Sequence, residues 1–191
     1  MMKMMPAGLL VILVGILLDA GLIVGMKPVI LMLGTLFVAH DYVTGLGVDI
    51  VRRDEIRLLR DTDADGYADK STLYAGRFNS IQGLAYHAGS VYVMHAPLLT
   101  SLRDTDGDGL ADERHDLLSG LGLRPEDNPN RLHCANGAVV GHDGWLYLAL
   151  GDRGCDVKRP EGDRLLLQHG GILRFRKDRR DLHVRAYRLP L

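Results

Sequence analysis

The sequence predicts an all-β chain: a partial β-propeller of about three four-stranded antiparallel blades, behind an N-terminal hydrophobic transmembrane or signal helix. Three observations predict it. An aspartate-rich loop occurs twice, 43 residues apart: Leu59-Arg60-Asp61-Thr62-Asp63-Ala64-Asp65-Gly66-Tyr67-Ala68-Asp69 and Leu102-Arg103-Asp104-Thr105-Asp106-Gly107-Asp108-Gly109-Leu110-Ala111-Asp112. A period of about 40–50 residues is that of a propeller blade. Downstream of residue 41, short apolar runs alternate with turn signals rather than with helical periodicity. Glycine is abundant, 23 of 191 residues, which suits many tight turns.

The elements follow in order. Residues 7–38 are almost wholly apolar, interrupted by Asp19 and by Lys27-Pro28. Residues 7–26 suffice for a bilayer span of about 20 residues, and Lys3 gives a thin positive flank. Anchor and cleaved signal both remain open, and Asp19 near mid-span is costly. A second apolar run, 29–39, either extends the helix past Pro28 or forms its own segment. The expected division is therefore residues 1–40 as membrane segment and 41–191 as partial propeller, the latter periplasmic or extracellular.

Strands are expected at 56–60 and 70–74 around the first loop, at 81–86 and 91–95, and at 100–103 and 114–118 around the second loop. More follow at 137–140 and 145–150, then at 171–176 and 182–188 across a polar turn. These make one complete sheet over 81–118, a second with longer loops over 137–188, and the outer half of an earlier one over 56–74. Residues 155–163 and Asn128-Pro129-Asn130 read as long loops. A closed propeller needs about four to eight blades, and an open arc exposes sheet edges. Self-assembly or downstream blades are therefore expected.

The repeated loop points to calcium, which takes six to eight hard oxygens. Carboxylates at loop positions 1, 3 and 5 converge when the chain turns at a glycine in position 6, and position 7 offers a carbonyl. Those positions are Asp61, Asp63, Asp65, Gly66 and Tyr67, then Asp104, Asp106, Asp108, Gly109 and Leu110; Asp69 and Asp112 stand at position 9. Position 12 is Thr72 or His115 instead of the bidentate Glu of an EF-hand, so a calcium loop between strands is expected. Asp/Gly-rich stretches also make plain turns.

Net charge is −1, which argues against a nucleic-acid partner. Cys134 and Cys155 either pair in an exported domain or remain two buried thiols. His87 and His142 occupy equivalent hairpin turns and read as surface residues. Arg174, Arg176, Lys177, Arg179 and Arg180 form a basic patch around a turn.

The second loop with Glu113-Arg114, then His133-Cys134-Ala135-Asn136-Gly137 and Gly141-His142-Asp143-Gly144-Trp145-Leu146-Tyr147, resembles the planctomycete-type membrane-bound dehydrogenases. Their propeller is similar to the glucose/sorbosone dehydrogenase family of quinoproteins. Leu146-Tyr147-Leu148-Ala149-Leu150-Gly151-Asp152-Arg153-Gly154, followed by Gly170-Gly171-Ile172-Leu173-Arg174-Phe175, resembles that family's signature. The resemblance covers residues 56–191. It implies pyrroloquinoline quinone with calcium, a sugar or alcohol substrate, His133 as general base and Asp152 as its orienting partner. The chain has His-x-x-x-Gly, one residue longer than the family spacing. The family's cofactor-binding residues lie in later blades, so none is transferred. The rival expectation is a non-catalytic, calcium-stabilised module for surface binding or adhesion, or an inactive gene fragment.

Overall fold

The computed structural model describes residues 26–32, 35–40, 54–122, 134–158, 162, 164–177 and 182–188. Regular structure among them is entirely strand. The first sheet runs β1 (Met26–Met32), β2 (Thr35–His40), β3 (Asp54–Arg60), β4 (Lys70–Phe78), in that spatial order. The second runs β5 (Gly83–His87), β6 (Ser90–His95), β7 (Leu98–Arg103), β8 (Glu113–Ser119). The third is built from β9 (Ala135–Val140), β10 (Leu146–Leu150), β13 (Gly171–Lys177) and β14 (Leu182–Arg188). A hairpin, β11 (Cys155–Lys158) with β12 (Arg164–Leu167), is inserted between β10 and β13. All pairings are antiparallel.

The sheets pack face to face with their first strands side by side: β1 touches β5, and β5 touches β9. Gly83 is required by this approach, because a Cβ there would lie 2.8 Å from the Ala138 nitrogen. Beside it the Gly137 N–H donates to the Gln82 carbonyl at 3.0 Å. Successive side chains of a strand face opposite ways, and the middle sheet uses both faces. Val91 and Val93 of β6 join Ile56, Leu58, Tyr74 and Phe78 in one core. Tyr92 and Met94 join Leu146, Leu148, Leu173 and Phe175 in the other. Laterally stacked, meandering four-stranded sheets of this kind make the chain all-β and propeller-like.

Two expectations are corrected. Residues 26–40 are not a membrane segment set apart from the propeller: β1 and β2 supply the inner strands that the first sheet was expected to lack. Phe37 and Ala39 are buried with Ile56, Leu58 and Tyr74. A strand covered on both faces reads as a continuous apolar run, which sequence periodicity cannot tell from a helix. Residues 155–163 are not simply a loop, since 155–158 form the first strand of the hairpin. Cys155 and Val157 enter the second core, with Leu165 and Leu167 packed against it. Residues 7–25 of the expected helix lie outside the described residues. Among the described residues no helix is long and apolar enough to cross a membrane. Cys155 is a free, buried thiol, so it makes no bridge to Cys134, which is also buried.

Antiparallel alternation assigns the connections to two ends. The aspartate loops share one end with the β5–β6 and β9–β10 turns. The opposite end carries residues 79–82, Ala96-Pro97, Gly120 to Gly122, Asp152 and the β11–β12 hairpin. Contacts agree: the Leu121 N–H reaches the Pro97 carbonyl at 3.0 Å, and the Asp156 N–H reaches the Gly120 carbonyl at 2.8 Å.

Candidate functional site

Each aspartate loop closes through the same hydrogen bonds, residue for residue. Asp61 accepts from the N–H groups of Ala64 at 2.7 Å and Gly66 at 2.9 Å. Asp104 accepts from Gly107 at 2.7 Å and Gly109 at 2.9 Å. Asp63 and Asp65 accept from the N–H two residues on, as do Asp106 and Asp108. These Asx turns wind the chain so that alternate carboxylates point inward. The neck is closed by Asp69 N–H to the Arg60 carbonyl and by Asp112 N–H to the Arg103 carbonyl, both at 3.0 Å. Asp61, Asp63 and Asp65 thereby offer oxygens within 4.8 Å of one another, and Asp104, Asp106 and Asp108 do the same. Three carboxylates so close repel strongly without a cation. Hard oxygens in alternate positions fit calcium.

The other sequence-predicted ligands fare differently. Tyr67 and Leu110 stand at the turn with exposed side chains. The carboxylates of Asp69 and Asp112 are outside the clusters. Each grips the threonine seven residues before it: Asp69 accepts from the Thr62 N–H and hydroxyl, Asp112 from those of Thr105. The threonine hydroxyl is the main reason both carboxyls sit below their ordinary range. A lowered folded value stabilises above the unfolded value of about 3.9 and is lost as pH falls through the folded one. With chelator present, the melting temperature should therefore fall as pH drops below about 4. Thr62→Val with Thr105→Val should flatten that fall, and an unchanged acid limb would contradict the bracing role.

The loops differ at one strained position. Ala64 has φ 62° where the second loop has Gly107 with φ 81°. A left-handed non-glycine residue costs roughly 1–2 kcal/mol. Ala64→Gly should stabilise the chain by about 1 kcal/mol, after the extra unfolded-state entropy of glycine is subtracted. Urea unfolding reads this directly; a loss of stability would mean that the first loop is not wound as described.

Of the residues implied by the dehydrogenase resemblance, His133 lies outside the described residues. Asp152 is exposed in the turn after β10. Its neighbour Gly151 donates to the carbonyl of Cys134, the residue after His133, at 3.0 Å. Asp152 and the aspartate loops sit at opposite ends of the sheets. The Gly141-to-Tyr147 motif is a turn lock: Asp143 accepts from the Trp145 N–H at 3.2 Å and the Tyr147 hydroxyl at 2.7 Å. Arg174 stacks over Trp145, 4.4 Å from the ring centre.

Sequence reasoning missed a polar chain through the middle sheet. His95 Nε2 and the Thr100 hydroxyl are 2.8 Å apart, and that hydroxyl donates to Asp116 at 2.6 Å. The hydroxyl has one proton, so Nε2 donates to it. His95 and Thr100 are buried, and the chain cross-links β6, β7 and β8. It has no motif to betray it, because its members are brought together by pairing of strands. A cleft of about 230 Å³ between the second and third sheets is lined by His87, Tyr92, Leu146, Phe175 and Arg176 among others.

Fold and site define a class: a propeller-like chain of stacked antiparallel sheets carrying duplicated aspartate loops. The chain belongs to the family described as Domain of unknown function (DUF7133), whose model matches residues 26–188. That match begins with the first residue of β1 and ends with the last of β14. No curated protein matches. Among solved structures the chain is similar to a luciferin-regenerating enzyme, at 14% identity and a TM-score of 0.48. The similarity covers 74% of this chain and 44% of that one, so the chain spans less than half of that neighbour's length.

Proposed function

We propose that the chain is a calcium-stabilised propeller module whose two aspartate loops hold calcium in a structural role. The carrying observation is the duplicated cluster of three carboxylates, reached twice by the same hydrogen bonds. Their position away from Asp152 favours a structural ion over a catalytic one. Titration calorimetry of chelator-treated protein should show two calcium sites per chain; no heat and no calcium-dependent melting shift would overturn the reading. The apolar sequence of residues 7–25 supports membrane attachment, with the sheets periplasmic or extracellular. Resistance of the native product to carbonate extraction tests it, and full release would remove it.

A second reading is a quinone-dependent sugar or alcohol dehydrogenase. It is favoured by the hydrogen bond between Gly151 and Cys134, which ties together the chain neighbours of Asp152 and His133. In it His133 accepts the substrate hydroxyl proton and Asp152 orients the imidazole. Dye reduction with pyrroloquinoline quinone and calcium, lost in His133→Ala, would support it. No reduction with any sugar or alcohol would leave the binding or adhesion role.

A further inference from the structure

We propose that the cleft between the second and third sheets is a binding site for a single-ring aromatic molecule, which stacks on Tyr92. The interface between the first and second sheets shows what stands at the matching place. There Tyr86 of the second sheet lies flat on Phe37 of the first, with ring centres 6.0 Å apart and planes 15° apart. Tyr74 meets the same Phe37 ring edge-on at 4.8 Å. Both are arrangements that aromatic pairs prefer. Phe37 and Tyr74 are buried in the first core, and Tyr86 packs against it.

Strand register carries each of these positions to the second interface. Phe37 pairs with Leu58, and Tyr92 pairs with Ser101. Leu58 and Ser101 stand equally far before their aspartate loops, so Tyr92 has the place of Phe37. Tyr86 pairs with Val91, and Val140 pairs with Leu146. Val91 and Val93 face the first core as Leu146 and Leu148 face the second, so Val140 has the place of Tyr86. Tyr74 and Leu117 are each the extra residue of a bulge, between Leu73 and Ala75 and between Asp116 and Leu118. Two tyrosines of the first interface are thus aliphatic in the second. Phe175, which pairs with Leu146 as Leu102 pairs with Val91, returns one ring. A cleft of about 230 Å³ nevertheless remains, lined by Tyr92, Val140, Leu146 and Phe175 among others.

Size and chemistry both suit one ring. An apolar cavity of about 150 Å³ is enough to admit benzene, so this cleft has room for a ring with a small substituent. Its inner walls are apolar and fixed: Leu146 and Phe175 belong to the second core. Polar groups stand beside them. His87, which ends β5, lines the cleft and is exposed. Burial raises the Tyr92 phenol above its ordinary value, so it stays protonated at neutral pH. Phenol and imidazole can both exchange hydrogen bonds with a hydroxyl on the ring. The cleft lies at the same end of the sheets as the aspartate loops but is lined by none of their carboxylates. The proposal therefore stands apart from the calcium reading.

The probe is phenol, with cyclohexanol as a control of the same size that is not flat. The test is NMR of the full chain with labelled valine and leucine methyls and labelled tyrosine rings. Phenol should show contacts to Tyr92, Val140 and Leu146, with a dissociation constant on the order of 1 mM, and cyclohexanol should show none. Val140→Tyr restores the ring that Tyr86 supplies at the first interface. It should abolish the phenol contacts without lowering the melting temperature. Tyr92→Leu should weaken phenol about two- to ten-fold, the worth of one aromatic pair. Absence of phenol contacts up to about 10 mM, or equal contacts from cyclohexanol, would overturn the proposal. So would phenol contacts that persist in Val140→Tyr. Unchanged affinity in Tyr92→Leu would overturn it too, and that variant decides the matter should Val140→Tyr fail to fold.

Discussion

Gly120→Ala is expected to lower the stability of this chain by about 3–5 kcal/mol, the range in which backbone strain and core disruption add. Gly120 has φ +85°, and a Cβ there would lie 1.9 Å from the Asp156 carbonyl oxygen and 2.7 Å from its carbon. Those atoms are backbone, so no rotamer change relieves the overlap. The left-handed conformation alone costs an alanine roughly 1–2 kcal/mol. The rest comes from pushing the β11–β12 hairpin off β8. That breaks the bond from the Asp156 N–H to the Gly120 carbonyl, and it uncovers Cys155, Val157 and Leu121, each 0% exposed. Gly137→Ala is the matched control: its φ is +77° but nothing lies within 4 Å, so only the conformational cost of about 1–2 kcal/mol applies. Thermal unfolding separates the two, since each kcal/mol is worth roughly 2–4 °C at this size. Equal losses at both glycines would mean that the hairpin is not seated on the second sheet.

The outer strands were legible in the sequence because each alternates beside an unmistakable turn. Val91 to His95 reads as a strand because the turn His87-Ala88-Gly89-Ser90 precedes it and β-branched residues recur within it. The aspartate loops were legible because their geometry is local: every bond that winds Asp61 to Asp65 spans a few residues. Residues 35–40 were not, because Phe37, Val38 and Ala39 are buried in succession, and burial on both faces erases the period that separates strand from helix. The hairpin was missed for another reason. Cys155 and Val157 on one strand, Leu165 and Leu167 on the other, do alternate, but each run is only four residues long. What seats them is distant: the Gly120 carbonyl, which accepts from the Asp156 N–H. The clustering of the carboxylates was legible, because alternation brings Asp61, Asp63 and Asp65, and again Asp104, Asp106 and Asp108, together. Alternation could not show that Asp69 and Asp112 belong to Thr62 and Thr105, since an EF-hand template assigns position 9 to the ion and ignores the strand neck that closes this loop.

If the loops hold calcium as proposed, Asp106→Ala should remove most of the rise in melting temperature that calcium produces, whereas Asp63→Ala should remove little of it. A ligand that binds only the folded state at a hundred times its dissociation constant stabilises by about 2.7 kcal/mol, or roughly 5–10 °C here. Asp106 is the informative choice. Among the described residues its carboxylate accepts only from the Asp108 N–H at 3.2 Å, so the frame held by Asp104 and Asp112 survives and a lost calcium response would report the ion. The asymmetry follows from where the loops sit. The second loop is fastened to β4 through Ala111 and abuts Tyr74, whose hydroxyl is pushed up to about 12, chiefly by burial and then by the Asp104 charge. Opening that loop disturbs the core shared by two sheets, so an ion held there would be coupled to global unfolding. The first loop is exposed from Thr62 to Asp69 and can open locally without crossing the global barrier. If neither substitution alters the calcium response, the loops are plain turns. If both alter it equally, docking on β4 does not couple the second loop to the fold.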